Sequence, residues 1–326
     1  MISLDKILQG VSTVGIGGHI KPDGDSVGSC MGLYLYLKEC YPQITPYVFL
    51  EDNIPDTFLF LKDSDEIIRD YPDKEPLDVF FALDCADRAR LGQAQKYLDA
   101  ARKTVCIDHH ISNTGFGDIN EIQPDASSAS ELVALLEDPE KITAPIAEAL
   151  YMGIAHDTGI FQYSCTSSRT MRIAGVLMEK GIDFSAIVDA TWATKTYRQN
   201  QILGRALVES ILMLDGKVIF SVIHRKDMDL YGVEPKDMDG IVQQLRVTKG
   251  VEAAIFIYES GVREYKVSMR SNGIVDVAKI ASYFGGGGHV RAAGCTMQGG
   301  VHDTINNLTA QIADQLEARS KQEAAE

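Results

Sequence analysis

Short apolar runs alternate with longer mixed segments along the first part of the chain. Four of these runs predict buried strands, at residues 11–16, 47–50, 79–84 and 104–108. Segments of helical character follow the first and the third run, at residues 30–40 and 93–101. This alternation of strand and helix favours a parallel sheet covered by helices. Residues 129–192 then continue as a mostly helical region.

The pattern changes in the second part of the chain. Residues 193–215 predict one helix, which could join two domains. Beyond it the pattern predicts three strands and two helices, at residues 218–223, 253–258, 265–269, 275–284 and 304–316. We therefore predict an α/β fold in which a parallel-sheet N-terminal domain, residues 1–192, is joined by this helical linker to a smaller α/β C-terminal domain, residues 216–326.

The acidic excess of the chain is confined to its first part. Residues 1–190 contain 15 Lys and Arg against 30 Asp and Glu, whereas residues 191–326 contain 16 of each. Such a chain should repel long polyanions, so we expect no long duplex nucleic acid among its partners. A nucleotide ligand should be small, with metal ions offsetting the local repulsion between negative charges.

The cellular location can also be predicted from the sequence. No apolar run approaches the roughly 20 residues that span a membrane, and the start of the chain lacks the pattern of a signal peptide. The six cysteines are scattered and form no Cys-x-x-Cys pair, which is typical of reduced core residues. We therefore expect a cytoplasmic protein with no membrane partner.

Side chains that can bind metal ions stand where several of the apolar runs end. They are His19, Asp23, Asp25, Asp84, Asp108, His109, His110 and Asp157. In a parallel α/β sheet the carboxyl ends of the strands form one edge, where ligands bind. Imidazole and carboxylate groups suit Mn²⁺ or Mg²⁺, and this set suffices for two ions about 3.5–4 Å apart. We expect Asp23 and Asp25 in an extended loop, although an isolated Asp-x-Asp pair is also common in solvated loops.

A run of four glycines, residues 285–288, followed by His289 and Arg291, is the second informative stretch. Glycines let backbone amides approach an anion closely, and His289 and Arg291 can donate hydrogen bonds to phosphate. The alternative is a helix stop or a flexible linker. Arg270 and Ser271, at the end of a predicted strand, could add a phosphate contact, although Arg270 alone could equally form a surface ion pair.

Five motifs in this order resemble those of the DHH phosphoesterases. His19-Ile-Lys-Pro-Asp23-Gly-Asp25 resembles the first motif, Asp84 the second, Asp108-His109-His110 the third, and Asp157 in Gly-Ile-Ala-His-Asp-Thr-Gly the fourth. Residues 285–294 resemble the signature of the DHH-associated C-terminal domain. The two-domain layout is similar to that of the nanoRNase group, oligoribonucleases that also act as phosphatases on 3′-phosphoadenosine 5′-phosphate.

The resemblance implies a catalytic N-terminal domain, a substrate-binding C-terminal domain and a role for each matching residue. His19 and Asp23 would bind one Mn²⁺, Asp25, His109 and Asp157 a second, and Asp84 would bridge the two ions. His110 would contact the scissile phosphate, and Asp108 would orient an imidazole, so that catalytic roles fall on His110, Asp108 and Asp84. The candidates for holding the substrate are Arg270, Ser271, Gly286, Gly287, Gly288, His289 and Arg291.

The leading hypothesis is a Mn²⁺-dependent phosphodiesterase that acts as an exoribonuclease. It would degrade very short oligoribonucleotides to nucleoside monophosphates in the cleft between its domains, and would also convert 3′-phosphoadenosine 5′-phosphate to AMP. The alternatives are a phosphodiesterase for cyclic di-AMP or linear pApA and, with less support, a nucleotide-binding regulator without turnover. The sequence leaves the oligomeric state open, and a homodimer is compatible with it.

Overall fold

The computed structural model describes residues 2–323, and the chain divides into two compact units between Thr194 and Lys195. Each unit has its own sheet and its own apolar core. No helix among the described residues is long and apolar enough to cross a membrane.

A five-stranded, wholly parallel sheet forms the centre of the first unit. Its strands are β1 (Thr13–Gly17), β2 (Thr45–Phe49), β3 (Val79–Leu83), β4 (Thr104–Asp108) and β5 (Ile119–Ile122). They lie in the order β2-β1-β3-β4-β5, and every neighbouring pair is parallel. Every residue of β3 is buried, as a strand covered on both faces requires. The predicted strands are confirmed, whereas β5 was not predicted because its four residues include the polar Asn120 and Glu121.

Seven α-helices belong to the described part of the first unit. They are α1 (Leu4–Ile7), α2 (Gly24–Cys40), α3 (Gln95–Ala100), α4 (Ala129–Leu136), α5 (Ala144–Asp157), α6 (Ser168–Met178) and α7 (Phe184–Val188). The longest of them, α2, is buried from Gly24 to Leu37 and packs against α5. A turn of π-helix, Asp189–Ala193, follows α7.

The start of α2 corrects one prediction. We expected Asp23 and Asp25 to lie in an extended loop. Instead α2 begins at Gly24, and Asp23 caps it by accepting hydrogen bonds from the backbone N–H groups of Asp25 and Ser26. Capping of this kind satisfies donors that have no partner within the helix, which offsets the cost of glycine at the first helical position.

A six-stranded sheet forms the centre of the second unit. Its strands are β6 (Ile211–Met213), β7 (Val218–Ile223), β8 (Ala253–Gly261), β9 (Glu264–Ser271), β10 (Gly287–His289) and β11 (Ala292–Gln298). The order is β10-β11-β9-β8-β7-β6, with β7 and β8 parallel and all other neighbours antiparallel. An α/β fold with a parallel sheet in the first unit and a second, mixed sheet in the other is therefore confirmed.

Helices cover both faces of this second sheet. They are α8 (Tyr197–Val208), α9 (Arg225–Tyr231), α10 (Ile241–Arg246), α11 (Val277–Tyr283) and α12 (Val301–Glu323). Side chains of α8, α9 and α10 form one core with β7 and β8, and side chains of α11 and α12 form the other core with β8, β9 and β11.

Two predictions in the second unit differ from the structure. The helix predicted over 193–215 is shorter, because Thr196 and Gln199 form a capping box at its start and the chain turns into β6 after Ser210. The glycine run is only in part a loop, since Gly287 and Gly288 belong to β10, which pairs with β11. The exact domain limits, 1–192, 193–215 and 216–326, stay predictions.

Candidate active site

His19, Asp23 and Asp84 form one group of ligand atoms at the ends of β1 and β3. Nε2 of His19 lies 3.5 Å from Oδ2 of Asp23 and 3.3 Å from Oδ2 of Asp84. The other ring nitrogen, Nδ1, donates to the backbone oxygen of Ile20 at 2.8 Å, so that Nε2 is the nitrogen that faces the two carboxylates and can bind a cation in place of a proton. Asp23 serves both the helix and this group, because its Oδ1 caps α2 while its Oδ2 faces His19.

Asp25, His109 and Asp157 form a second group. Nε2 of His109 lies 3.8 Å from Oδ2 of Asp25 and 3.4 Å from Oδ2 of Asp157. Asp25 is fixed from behind by α4, since the backbone N–H groups of Ala129 and Ser130 donate to its two oxygens at 2.6 and 2.8 Å. The amino terminus of a helix favours an anion at this position.

Asp84 belongs to both groups. Its Oδ2 faces His19, and its Oδ1 lies 3.5 Å from Nε2 of His109. Asp84 adopts a φ of 54°, in the left-handed region that non-glycine residues rarely occupy. Strained conformations of this kind persist where the surrounding structure imposes them and are concentrated at functional sites.

The clustered carboxylates shift the pKa values of the side chains in the two groups. Burial disfavours protonation of His19, but the hydrogen bonds to Asp23 and Asp84 outweigh burial and raise its pKa to about 10. The pKa of His109 is also raised to about 10, since contact with Asp84 and the charges of Asp25 and Asp157 outweigh burial. Burial and the charge of Asp84 raise the pKa of Asp157 to about 6, although His109 opposes the shift. A field that holds protons this firmly also attracts divalent cations.

The donor set fits such cations. Within each of the two groups, one ligand atom from each residue lies within 4.8 Å of the others. Imidazole nitrogens and carboxylate oxygens, with no thiolate among them, suit Mn²⁺ or Mg²⁺. Asp84 offers one oxygen to each group, so the six side chains can hold two neighbouring ions that share one carboxylate.

His110 is held in one orientation by a buried carboxylate. Its Nδ1 donates to Oδ1 of Asp108 at 2.7 Å, and Oδ2 of Asp108 accepts from Nδ2 of Asn113 at 2.7 Å. This hydrogen bond to Asp108 outweighs burial and raises the pKa of His110. Burial would raise the pKa of Asp108, but the hydrogen bonds from His110 and Asn113 prevail and lower it. His110 is therefore a partly exposed hydrogen-bond donor beside Asp84, and Asp108 favours its protonated form.

Sequence reasoning missed the residues that support the site from behind. Asn113 was not singled out, nor was Glu131, which is fully buried and accepts from Ser127, Thr170 and Nε of Arg169. This network anchors α4, whose first N–H groups hold Asp25. One signal was present in the sequence, because Ser128 and Glu131 have the spacing of a helix start, and Oγ of Ser128 accepts from the N–H of Glu131.

His156 belongs to neither of these two groups of ligand atoms. Its ring packs edge-on against Phe58 and Trp192, with centroids 5.2 and 5.5 Å away. A Cβ atom on Gly24 would lie 2.3 Å from the same ring, so His156 also packs against the start of α2. The Nε2 atom of His156 is buried and has no hydrogen-bond partner among the described residues.

In the second unit, several of the predicted substrate-binding residues share one face of the sheet. His289 of β10 pairs with Ala292 of β11, which pairs with Arg270 of β9. Residues directly opposite one another project to the same face, and neighbouring strands lie about 4.8 Å apart. His289 and Arg270 are therefore about 10 Å apart with only a small side chain between them, an arrangement that two donors to one anionic ligand can use.

The other predicted substrate-binding residues divide into two kinds. Gly286 and Gly288 are required by packing, because a Cβ atom on either would lie within 2.5 Å of a backbone oxygen of β11, whereas Gly287 has open space. Arg291 is exposed beside this strand. Ser271 is 2% exposed and projects to the opposite face, where its Oγ accepts from the N–H of Gly273, so this serine does not join the others.

Comparison with known proteins identifies the family. Residues 13–154 match the DHH family, N-terminal domain, and residues 215–318 match the DHHA1 domain. The chain is 30% identical to a bifunctional oligoribonuclease and PAP phosphatase NrnA of Thermus thermophilus, over 87% of this chain and 84% of that protein. The chain belongs to the DHH family. A second NrnA protein of this description, from Bacillus subtilis, is 29% identical over 87% of this chain and 89% of that protein.

The fold of this DHH protein is also found in a solved structure. An exopolyphosphatase-related protein from Bacteroides fragilis superposes with a TM-score of 0.87 at 24% identity, covering 95% of this chain and 94% of the other. The predicted membership in the DHH phosphoesterases, with a DHH-associated C-terminal domain, is thus confirmed. The predicted enzyme class is confirmed with it, because members of the family are hydrolases that depend on divalent metal ions.

Proposed function

We propose that this chain is a Mn²⁺-dependent phosphodiesterase that hydrolyses very short oligoribonucleotides to nucleoside monophosphates and 3′-phosphoadenosine 5′-phosphate to AMP. The observation that carries the proposal is Asp84, whose two oxygens face two separate groups of ligand atoms. The similarity to oligoribonucleases and PAP phosphatases supports the substrate class.

The roles of the side chains follow from their positions. His19 and Asp23 would hold one cation, Asp25, His109 and Asp157 the other, and Asp84 both. When bound, such a pair of ions lowers the pKa of an attacking water and stabilises both oxygens of an in-line displacement at phosphorus.

His110 contributes a charge that the cations do not supply. Because Asp108 holds its Nδ1, the other nitrogen, Nε2, is the one presented to substrate, and it can donate to a phosphate oxygen as negative charge develops there. Asp108 acts as a positioning residue, since it is completely buried and reaches substrate only through His110.

The second unit would bind the part of the substrate that does not react. Arg270 and His289 project to one face of its sheet and can hold a phosphate or a base edge there. The first unit carries the acidic excess of the chain, which favours a small substrate over long RNA. Two hydrogen-bond donors about 10 Å apart can contact only a short stretch of substrate, which suits a substrate of a few nucleotides.

The experiment is a side-by-side assay with purified full-length protein and Mn²⁺. The substrates are RNAs of two to five residues, a 24-residue RNA, 3′-phosphoadenosine 5′-phosphate, linear pApA and cyclic di-AMP, with products separated by chromatography. We expect mononucleotides from the short RNAs and AMP from 3′-phosphoadenosine 5′-phosphate, with cyclic di-AMP and the 24-residue RNA turned over far more slowly.

Other outcomes of this assay assign the protein differently. Ring opening of cyclic di-AMP as the fastest reaction would make the protein a cyclic dinucleotide phosphodiesterase with the same metal site. Nucleotide binding without turnover of any substrate would contradict the proposal and favour the regulatory alternative.

A further inference from the structure

A cavity in the second unit lies beside the row that contains Arg270 and His289. Its volume is about 440 Å³, and its lining includes Tyr258, Lys266, Ser268, Gly286 and Thr296. This volume lies within the range of pockets that hold small molecules. All of its lining residues belong to one unit, and none of them was predicted as a substrate contact except Gly286.

The strand register shows how the cavity relates to the predicted contacts. Lys266 pairs with Tyr258 on one side and with Thr296 on the other, and Ser268 pairs with Phe256 and Gly294. Lys266, Ser268 and Arg270 occupy every second position of β9, so all three side chains project to the same face of the sheet. This face also carries His289. Successive positions on one face of a strand are about 6.5–7 Å apart, which puts Lys266 about 13 Å along the strand from Arg270.

Small residues leave room between the two positive side chains. Gly294 and Gly287 pair directly in the row between them, and Ser268 lies in the same row. Lys266 is exposed, and Lys266, Ser268 and Thr296 belong to neither apolar core of the unit. A face with two cations and a shallow, small-residue gap between them is suited to a chain of phosphates and not to an apolar partner.

Tyr258 supplies a ring at the far end of this face. It packs beside Phe256, with ring centroids 6.2 Å apart, and is only partly buried. Burial and the charge of Asp239 raise the pKa of Tyr258, so its hydroxyl stays protonated. Burial raises the pKa of Asp239 itself, although the positive charges of Lys195 and Arg270 oppose this shift. An aromatic ring beside a lysine is the pairing that proteins use to stack a base and neutralise its phosphate.

We propose that this cavity is a second nucleotide subsite, in which Lys266 pairs with a phosphodiester phosphate and Tyr258 stacks on a base of the oligonucleotide. The inference rests on the proposed function and deepens it. Arg270 and His289 would hold the nucleotide common to all substrates, and the cavity would hold the next one. The subsite therefore contributes only to substrates with more than two nucleotides.

The test compares KM values for a four-residue RNA and for 3′-phosphoadenosine 5′-phosphate in Lys266→Ala, Tyr258→Leu and wild-type protein. Loss of a base stack costs roughly 1–3 kcal/mol, so we expect about a 5- to 150-fold higher KM for the RNA in Tyr258→Leu. Lys266→Ala should remove one lysine–phosphate contact. The slope of log KM against log salt concentration for the RNA should therefore fall by about 1. For 3′-phosphoadenosine 5′-phosphate, KM should remain that of the wild type.

Lys279→Ala is the matched control, because it removes an exposed lysine from α11, which packs on the opposite face of the sheet. It should leave both KM values unchanged. Equal KM changes for both substrates, or wild-type values for both in Lys266→Ala and Tyr258→Leu, would overturn the subsite. Failure of the proposed function would appear differently, as absence of turnover of either substrate by the wild-type protein.

Discussion

Asp108 has no exposed surface, yet it decides how His110 is presented. One of its oxygens accepts from His110 and the other accepts from Asn113. A carboxylate can accept on both oxygens at once, whereas an amide of the same shape has one acceptor and one donor. The negative charge and the two acceptors are therefore both needed to hold this imidazole protonated and in place.

We expect Asp108→Asn to lower kcat for a two-residue RNA by about 10–100-fold, the range found when groups that orient active-site ligands are removed. One of the two hydrogen bonds would become a donor facing a donor. Asp118→Asn is the control, because Asp118 accepts from Thr104 at the opposite end of β4. Wild-type kcat in Asp108→Asn, measured together with its Mn²⁺ content, would contradict the role assigned to Asp108.

The residues of the site were predictable to different degrees. All six proposed ligands were found from the sequence, because each follows an apolar run or lies in a motif, and the structure brings them together. Asn113, Glu131 and Arg169 were not found, since their importance depends on contacts with residues distant in the chain. The predicted role of Ser271 conflicts with its burial, because the alternation along β9 directs Ser271 to the opposite face from Arg270.

At the scale of elements, the close approach of α2 and α5 sets the positions of three proposed ligands. Asp23 and Asp25 lie at the start of α2, and Asp157 lies at the end of α5. The two backbones nearly touch at Gly28, where a Cβ atom would lie 2.5 Å from the oxygen of Ala149. Only glycine permits this approach, because a backbone atom cannot move aside as the end of a flexible side chain can.

Gly28→Ala should therefore lower the free energy of unfolding by about 1–3 kcal/mol, the usual cost of overpacking, and weaken Mn²⁺ binding. Gly175→Ala is the matched control in α6, where a Cβ atom would meet nothing within 4 Å. That substitution should stabilise the chain by roughly 0.5–1 kcal/mol because alanine favours the helix. Urea titrations of the two variants and the wild type measure both changes in the free energy of unfolding, and equilibrium dialysis measures Mn²⁺ binding. Equal stabilities of Gly28→Ala and the wild type would refute the packing argument.

A carboxylate at the amino-terminal ends of the strands, opposite the metal-binding side chains, holds β1 and β3 together. Asp78, just before β3, accepts from the N–H groups of Ser12 and Thr13 at 2.8 and 3.0 Å, at the start of β1. The backbone hydrogen bond from Ser12 is the main cause of the lowered pKa of Asp78, and Arg102 adds to it. A carboxyl whose pKa is lower in the folded state stabilises the fold above its unfolded pKa of about 3.9.

Asp78→Ala should destabilise the chain by about 1–2 kcal/mol at pH 7, because two N–H groups lose their acceptor. The difference from the wild type should be constant down to about pH 5 and shrink as the pH falls through the lowered pKa of Asp78, since the protonated carboxyl no longer binds these donors more strongly. Unfolding curves between pH 3 and 7 measure it. A difference that grows on acidification would contradict this sign.

Element prediction succeeded where local pattern and fold agree. The predicted limits of β4 and β7 match the structure, because both strands consist mostly of β-branched or apolar residues. The short helices α9 and α10 and the strands β10 and β11 were missed. α10 is six residues long and begins after Gly240 in a left-handed conformation, and β10 consists of two glycines and a histidine that become a strand only by pairing with β11. Such elements are defined by contacts that no local window contains.

At the scale of the whole molecule, the acidic excess of the first part has a local counterpart in the site. Four of the six proposed ligands are aspartates, and burial together with the charges of Asp84 and Asp157 raises the pKa of Asp25 well above its ordinary value. Cations that bind this cluster bind the folded chain but not the unfolded chain, because the ligands come from separate parts of the sequence and meet only on folding. Mn²⁺ should therefore stabilise the folded state by mass action, in addition to its proposed part in hydrolysis.

The division of the chain into two units separates two kinds of experiment. Variants of the aspartate and histidine cluster should change Mn²⁺ content and kcat together. Variants of Arg270, His289 and the cavity beside them should change KM while Mn²⁺ content stays that of the wild type. His289→Ala is expected to follow the second pattern, and His302→Ala, an exposed histidine on α12, is its control.

The measurement that tests the central claim most directly is Mn²⁺ stoichiometry by equilibrium dialysis, with hydrolysis of a two-residue RNA assayed on the same samples. Asp84→Ala is compared with the wild type and with Asp73→Ala, which removes a fully exposed aspartate of the same unit. We expect two Mn²⁺ per chain and full turnover in the wild type and Asp73→Ala, and fewer than two Mn²⁺ with turnover abolished in Asp84→Ala. Two Mn²⁺ and normal turnover in Asp84→Ala would contradict a site in which one carboxylate holds both ions.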